Sequence, residues 1–141
     1  MATKPESPYI FLSSEVVRYV SEEAAKDAVE ELKDKLQKCI ANGGGNGRGG
    51  EFVKYSFLNL PKFTANLVEE SNRVIAYTKI GESDSQRILL AIYQFEGAMF
   101  SGVYVVRDIS KPFTESELVR WIDAAGVIAK RLGEARFSSK T

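Results

Sequence analysis

The chain has 141 residues, of which 44% are hydrophobic and 27% are charged. That length and composition suit one globular domain with its own core, spanning residues 1–141, and exclude a disordered or collagen-like chain. Nineteen Lys and Arg residues balance nineteen Asp and Glu residues. The net charge of zero therefore excludes a strongly basic domain of the kind that attracts nucleic acid or an anionic membrane.

The lack of histidine limits the chemistry open to this chain. Ser-His-Asp triads, Cys-His dyads and His-based zinc sites are all excluded. Cys39 is the single cysteine, so the chain has neither an internal disulfide nor a thiolate metal cluster, and we interpret Cys39 as a buried structural residue. We therefore expect a protein that is not an enzyme and that holds no metal or cofactor.

The first residues, 1–8, are polar and lack the apolar segment of a signal peptide. No apolar run in the chain approaches the roughly 20 residues that span a bilayer. A single free cysteine fits a reducing compartment. We therefore expect a cytoplasmic protein without a membrane partner.

Residues 14–41 carry a helical pattern, with apolar side chains at steps of three and four. A second interpretation stays open at the start of this segment. Ser21 is followed by Glu22 and Glu23 and can cap a helix that begins there, in which case 9–20 is extended, with a strand at Tyr9–Leu12. The residues of the apolar stripe are Val17, Val20, Ala24, Ala28, Leu32, Leu36 and Cys39.

A glycine-rich run follows, and we predict a flexible linker over 43–50. Gly45, Gly47 and Gly50 match the GxGxxG spacing. The nucleotide-binding form of that motif lies after a strand and before a helix, whereas here the order is helix, glycines, strand. The alternative function for this loop is a phosphate, RNA or protein contact through Arg48.

Four segments rich in β-branched and aromatic residues follow the glycines and predict strands. A polar turn over 81–86 and a tight turn at Glu96-Gly97 join the last three into an antiparallel meander. Between the first two strands, Pro61 can begin a short helix that reaches Glu70, although an extended edge is the alternative. The four strand segments are Glu51–Leu58, Arg73–Ile80, Arg87–Phe95 and Met99–Arg107.

The final helix has a well-marked start. Thr114 and Glu117 have the spacing of a capping box, and Phe113 and Leu118 occupy the positions of a hydrophobic staple. We predict that Gly133 ends the helix and that 134–141 form a frayed tail. The predicted buried stripe consists of Leu118, Trp121, Ile122, Ala125, Ile128, Ala129 and Leu132.

Together these elements predict an α+β fold: an antiparallel sheet of four to five strands that contains the three-strand meander, with the long N-terminal and C-terminal helices packed on one face. The order of elements resembles that of profilin-like, roadblock-like and RWD-like domains. The resemblance concerns order alone and no residue motif, so it implies an architecture and no function.

Strand alternation makes both faces of the meander apolar, and one of them carries the aromatic side chains. If both helices cover one face, the aromatic face needs another cover. We therefore expect a protein-interaction or assembly module, as a homodimer or an adaptor, which binds itself or another protein through this face or through an edge strand. The predicted interface residues are Tyr77, Tyr93, Phe95, Phe100 and Tyr104, with Tyr55 as an alternative to Tyr77.

Three other covers stay open for the aromatic face. The segments Tyr9–Leu12 and Phe63–Val68 can fold across it. A small molecule can bind there, oriented by tyrosine hydroxyls. Single-stranded nucleic acid can stack on the aromatic rings, although the neutral charge disfavours this partner. The basic residues for that last alternative are Arg48, Lys54, Arg73, Lys79 and Arg87.

Overall fold

The computed structural model describes residues 9–42, 44–46, 52–58, 60, 68–81 and 86–138. A short 3-10 helix at Glu70–Asn72 precedes the central strands. The main elements in chain order are β1 (Tyr9–Arg18), α1 (Glu22–Asn42), β2 (Gly44–Asn46), β3 (Phe52–Phe57), β4 (Arg73–Ile80), β5 (Arg87–Glu96), β6 (Met99–Asp108) and α2 (Glu115–Ser138).

The strands form one six-stranded sheet in the order β1-β6-β5-β4-β3-β2, and every neighbouring pair is antiparallel. The predicted α+β fold with an antiparallel sheet is confirmed, including the meander of β4, β5 and β6. The sheet is wider than predicted because β1 adds to β6 at one edge and β2 adds to β3 at the other. At the tight turn between β5 and β6, Gly97 has a φ of 58°, which glycine adopts at low cost.

The prediction of a helix over 14–41 is wrong at its start, where β1 occupies 9–18 and α1 begins at Glu22. The alternative prediction, with Ser21 as the cap, is the one the structure shows: Ser21 Oγ accepts a hydrogen bond of 3.1 Å from the backbone N–H of Ala24. Val17 and Val20 fit the helical spacing but are exposed and lie before the helix. Valine is β-branched and favours extended backbone, which explains the error.

The two helices pack on opposite faces of the sheet, so the prediction that they share one face is wrong. Because strand alternation gives the sheet two apolar faces, each face requires its own cover, and one helix supplies each. On one face, α2 places Leu118, Ile122 and Ala125 against Ile88, Leu90, Ile92, Val103 and Val105. On the other, α1 places Ala25 and Val29 against Val74, Phe95 and Phe100.

The start of α2 agrees with the predicted capping box. The backbone N–H of Glu117 donates to Thr114 Oγ1 at 3.2 Å, and the backbone N–H of Thr114 donates to Glu117 Oε1 at 3.1 Å. Phe113 and Leu118, the predicted staple, are both buried in the core under α2. Arg107 donates from Nη1 to Glu117 Oε2 at 2.6 Å, with its guanidinium 5.1 Å from the centre of the Phe113 ring. These contacts fix the first turn of α2 to β6.

The end of α2 differs from the prediction, because the helix continues through Gly133 to Ser138. A Cβ atom at position 133 would lie 2.5 Å from Cγ of Glu96, so glycine there permits close approach to the turn between β5 and β6. Residues 134–138, predicted as part of a frayed tail, are helical.

Several predicted segments lie partly outside the described residues. Of the predicted linker 43–50, residues 44–46 form β2, and Arg48 is not among the described residues. The predicted short helix over 61–70 is described only from Val68, which is buried. Cys39 lies half-buried on α1.

Candidate functional site

Strand β1 forms one edge of the sheet and pairs with β6 alone among the described strands. Its large apolar side chains remain exposed: Phe11 by 53%, Leu12 by 55%, Val16 by 49% and Val17 by 39%. We call these four residues the exposed edge. A strand edge with this much apolar surface is a typical site for pairing with another chain.

The exposed edge has apolar groups on both faces of the sheet. Phe11 and Val17 lie opposite Val106 and Phe100, on the face that α1 covers, whereas Leu12 and Val16 belong to the face that α2 covers. Opposite residues in an antiparallel pair share a face. A strand added at β1 would therefore meet apolar side chains both above and below the sheet.

The usual protections of an edge strand are sparse in β1. Proline, lysine, bulges and inward-pointing charges normally prevent unwanted pairing at an edge. The sequence YIFLSSEVVR contains neither proline nor lysine, and its charged residues are Glu15 and Arg18. The one irregularity in its pairing lies between Tyr9 and Phe11, so the strand is regular from Phe11 to Arg18.

Glu15 is held by a contact that turns its charge away from the open edge. The hydroxyl of Tyr104 on β6 donates a hydrogen bond to Glu15 Oε1. Both atoms lie over Gly102, where a Cβ atom would come within 2.8 Å of the Tyr104 hydroxyl and 3.1 Å of Glu15 Oε1. Gly102 is the residue of β6 that lies opposite Glu15. Glycine at this position therefore makes room for the hydrogen bond above β6.

The phenol of Tyr104 remains a hydrogen-bond donor over a wide pH range. Burial raises the pKa of Tyr104 well above its usual value, and the hydrogen bond to Glu15 raises it further. A protonated phenol donates to a carboxylate, whereas an ionised one would repel it. The contact between Tyr104 and Glu15 is therefore stable at neutral pH.

The structure brings together most of the predicted aromatic residues. Ring centres of Tyr93 and Tyr104 lie 5.4 Å apart, those of Tyr93 and Phe100 lie 6.1 Å apart, and Tyr19 contacts Phe100 at 6.1 Å. Phe95 is on the same face, and both Phe95 and Phe100 are buried beneath α1. The expected bare aromatic face is therefore largely covered by this helix.

Tyr77 does not belong to this group, contrary to the prediction. It lies on the opposite face, packed edge-on against Phe113 at 6.0 Å in the core under α2. Its alternative, Tyr55 on β3, pairs with Ile80 of β4, which lies on the same face of the sheet as Val74, the residue opposite Tyr93. Alternation within one strand gives relative sides, but only the register between strands shows which side of β4 joins the aromatic residues of β5.

An open cleft of about 320 Å³ lies between α1 and the β1–β6 side of the sheet. Tyr19, Tyr93, Phe100 and Tyr104 supply aromatic surface, and Lys35 Nζ lies 3.8 Å from Glu31 Oε1 at the helix side. Aromatic faces together with carboxylates attract organic cations. The lining residues are Glu15, Tyr19, Ala28, Glu31, Leu32, Lys35, Tyr93, Phe100 and Tyr104.

Of the basic residues considered for nucleic acid, the four that the structure describes are spread over the sheet. Arg73 lies at the start of β4 opposite Gln94, and its Nη1 donates to the carbonyl of Val68 at 3.3 Å. Lys79 lies at the other end of β4, close to Arg87, which begins β5. Lys54 belongs to β3, opposite Gly44. No described basic residue from this set lines the aromatic cleft, so the geometry gives no support to stacking of a nucleic acid there.

Sequence reasoning does not predict the exposed edge, because the helical interpretation of 14–41 includes Val16 and Val17 and the extended alternative for 9–20 places a strand only at Tyr9–Leu12. A usable signal was present: 9–18 begins with Tyr-Ile-Phe-Leu, ends with two valines and is followed by the cap Ser21. β-branched and aromatic residues before a helix cap are typical of a strand. Glu15 was not singled out, because its role depends on Tyr104, which is distant in sequence.

Comparisons with protein families, with curated proteins and with solved structures found no match. Within the described part of the chain, no three acidic or cysteine side chains gather as metal ligands do. The described helices also include none with the length and apolar character needed to cross a membrane.

Proposed function

We propose that this protein is a non-catalytic assembly module whose chains associate by adding a strand at β1. The observation that carries the proposal is the exposed edge, which combines a regular strand whose outer side has no partner among the described strands with half-exposed apolar side chains on both faces. An edge of this kind binds another strand through backbone hydrogen bonds, while the side chains supply affinity and specificity.

The energetic contribution of the exposed edge is appreciable. Complete burial of a Val, Leu or Phe side chain stabilises by about 1.5–3 kcal/mol. Covering the exposed half of each side chain therefore contributes about 1 kcal/mol to association. Val16, with 49% of its surface exposed, is typical of the four. Association also pairs the outward N–H and C=O groups of β1, which satisfies the hydrogen-bonding capacity of the strand.

A matched pair of substitutions tests the proposal. Val16→Lys adds a charge to the exposed edge, whereas Val127→Lys adds the same charge on α2, where Val127 is 38% exposed. We expect light scattering to show wild-type protein and Val127→Lys heavier than one chain, and Val16→Lys as a single chain. A wild-type protein that stays a single chain at every concentration, or a Val16→Lys variant that still associates, would overturn the proposal.

The cleft beside α1 supports a second candidate function, the binding of a small organic cation. Glu15 is oriented by Tyr104, and Glu31 lies across the cleft from it on α1. With Lys35 as the opposing charge, these three side chains give the cleft a net charge of −1. Aromatic rings and a surplus carboxylate stabilise quaternary ammonium groups.

Tetramethylammonium and its neutral isostere tert-butanol test this second function. We expect calorimetry to show saturable binding of tetramethylammonium but not of tert-butanol. Glu15→Gln removes a cleft charge and should abolish binding, while Glu23→Gln, outside the cleft, should preserve it. Equal responses to the two compounds, or binding that survives Glu15→Gln, would contradict this function.

A further inference from the structure

We propose that the strand added at β1 is β1 of a second copy, paired antiparallel about a two-fold axis at Ser14. This inference rests on the proposed assembly through β1 and specifies the partner. It predicts a closed dimer with a continuous sheet across the two copies.

Sheet geometry limits the registers that two copies of β1 can adopt. Two coplanar antiparallel strands with the same sequence are related by an axis perpendicular to the sheet, which keeps each face of one copy continuous with the same face of the other. Directly opposite residues must share a face. The numbers of two opposite residues therefore add to an even sum. The axis then lies midway between the two copies of a single residue, which are directly opposite each other.

An axis at Ser14 matches the whole exposed edge. Leu12 then lies opposite Val16 of the partner subunit, on the α2 face. Phe11 lies opposite the partner's Val17, on the α1 face. The two-fold axis repeats both contacts, so all four exposed apolar residues of each copy meet an apolar residue. The polar residue Ser13 lies opposite the partner's Glu15, and Ser14 meets its own copy on the axis.

The neighbouring registers lose this match. With the axis at Ser13, Phe11 lies opposite the partner's Glu15, and Leu12 lies opposite the partner's Ser14. With the axis at Glu15, the two glutamates lie directly opposite each other, and like charges in that position are destabilising. The residue pattern of β1 therefore selects Ser14 as the centre.

The hydrogen bond from Tyr104 removes an obstacle to this dimer. In the Ser14 register, Glu15 and the partner's Glu15 are diagonal neighbours across the new strand pair. Tyr104 holds the Glu15 carboxylate over Gly102 of β6, on the inner side of β1. Both negative charges are therefore drawn away from the junction by their own subunits.

The other edge of the sheet is a poorer partner for β1. Strand β2 has only three residues, Gly44–Asn46, and two of them are glycines. Pairing of β1 with β2 of another copy would leave the exposed edge without apolar partners. It would also leave a free edge at each end and produce an open chain of copies, whereas pairing of β1 with β1 closes at two copies.

Cysteine cross-linking tests the register. In a Cys39→Ser background, Ser14→Cys places two thiols directly opposite each other, at the roughly 4.5–5.5 Å Cα separation that a disulfide accepts. Ser13→Cys is the matched control, because position 13 lies opposite position 15 and its two copies are offset by two residues along the strand. We expect mild oxidation to link Ser14→Cys at least ten-fold more than Ser13→Cys.

A charge pair gives a second test that needs no cysteine. Leu12→Lys and Val16→Glu should each abolish the dimer, and the double variant should restore it because Lys and Glu then lie opposite each other on one face. The control double variant, Leu12→Lys with Val17→Glu, puts the charges on opposite faces and should remain a single chain.

The outcomes separate this inference from the proposed function. If Val16→Lys abolishes association but the disulfide forms best at position 13, the Ser14 register is wrong and assembly through β1 remains intact. The same conclusion follows if the Leu12→Lys, Val16→Glu double variant does not restore the dimer. A wild-type protein found only as a single chain, or association unaffected by Val16→Lys, would overturn both.

Discussion

The hydroxyl of Tyr104 donates a hydrogen bond to Glu15 and so connects β6 with the edge strand β1. Gly102 lies beneath this contact, and Tyr93 packs against the Tyr104 ring. The contact fixes the one charged residue in the middle of β1. It links the aromatic cluster to the strand that carries the exposed edge.

Gly102→Ala tests whether the glycine makes room for this hydrogen bond. A Cβ atom would lie 2.8 Å from the Tyr104 hydroxyl, so we expect a loss of about 1–3 kcal/mol in the free energy of unfolding. Urea denaturation measures the loss. In a Tyr104→Phe background the hydroxyl is absent, and the same substitution should cost clearly less. An equal cost in both backgrounds would contradict the proposed role of Gly102.

Alkaline pH should destabilise the protein through its buried tyrosines. Burial raises the pKa of Tyr104 and of Tyr77, so both stay protonated in the folded state while the unfolded chain ionises near pH 10. Above that pH the unfolded state binds fewer protons than the folded state, so the free energy of unfolding falls as pH rises. Below about pH 10 both tyrosines are protonated in the folded and the unfolded state, so the free energy of unfolding does not fall through their ionisation.

Tyr104→Phe isolates the contribution of one tyrosine to this pH dependence. We expect denaturation curves between about pH 9 and pH 11 to show a shallower decline in the variant than in the wild type. Some decline should remain, since Tyr77 is unchanged. Identical slopes would show that Tyr104 ionises equally in the folded and unfolded states.

The ion pair of Arg107 and Glu117 should be important for stability at neutral pH. Arg107 is 7% exposed and donates to Glu117 at 2.6 Å. Glu117→Gln removes the carboxylate from a buried guanidinium and should cost about 1–3 kcal/mol in the free energy of unfolding. Glu115→Gln, in the same helical turn but exposed, is the control and should change stability by less than about 0.5 kcal/mol.

Glu117 should also contribute to acid sensitivity. Hydrogen bonds from Thr114, and the nearby Arg107 charge, lower the pKa of Glu117. As the pH falls, the unfolded chain takes up this proton before the folded chain does, so the stabilisation present above about pH 4.5 is lost below it. Denaturation of Glu117→Gln between about pH 5 and pH 3 should show a smaller decline than the wild type. An unchanged decline would contradict the assignment.

Two buried hydroxyls should respond differently to removal. Thr78 Oγ1 donates to the carbonyl of Ser56 at 3.1 Å, whereas Ser101 Oγ is buried without a partner among the described residues. Thr78→Val should therefore cost about 1 kcal/mol, and Ser101→Ala should be neutral or stabilising by up to about 1 kcal/mol. Thermal denaturation measures both changes. A large loss in Ser101→Ala would show that its hydroxyl has a partner.

Local signals in the sequence were sufficient for some elements of this fold. Thr114 and Glu117 marked the start of α2, since a capping box involves residues within one turn. The meander was predictable because short polar turns join strands with clear boundaries, as at Gly97. The placement of a helix on one face or the other is decided by tertiary packing, so the opposite positions of α1 and α2 were not predictable from either helix alone.

The candidate site was predictable only in part. Tyr93, Phe100 and Tyr104 were grouped correctly because β5 and β6 form a hairpin with a short turn. The exposed edge was missed because the three-residue spacing of Val17 and Val20 fits a helix, although valine itself favours extended backbone. Its pairing with β6 joins residues distant in sequence, and no local pattern reports that contact.

Amide hydrogen exchange of β1 tests strand addition most directly, because it reports on the backbone bonds themselves. We predict that the N–H groups of 11–17 that point away from β6 become more protected as protein concentration rises. That protection should be lost in Val16→Lys and retained in Val127→Lys. Outward amides of β1 that exchange rapidly at every concentration, even in associated protein, would contradict assembly through this edge.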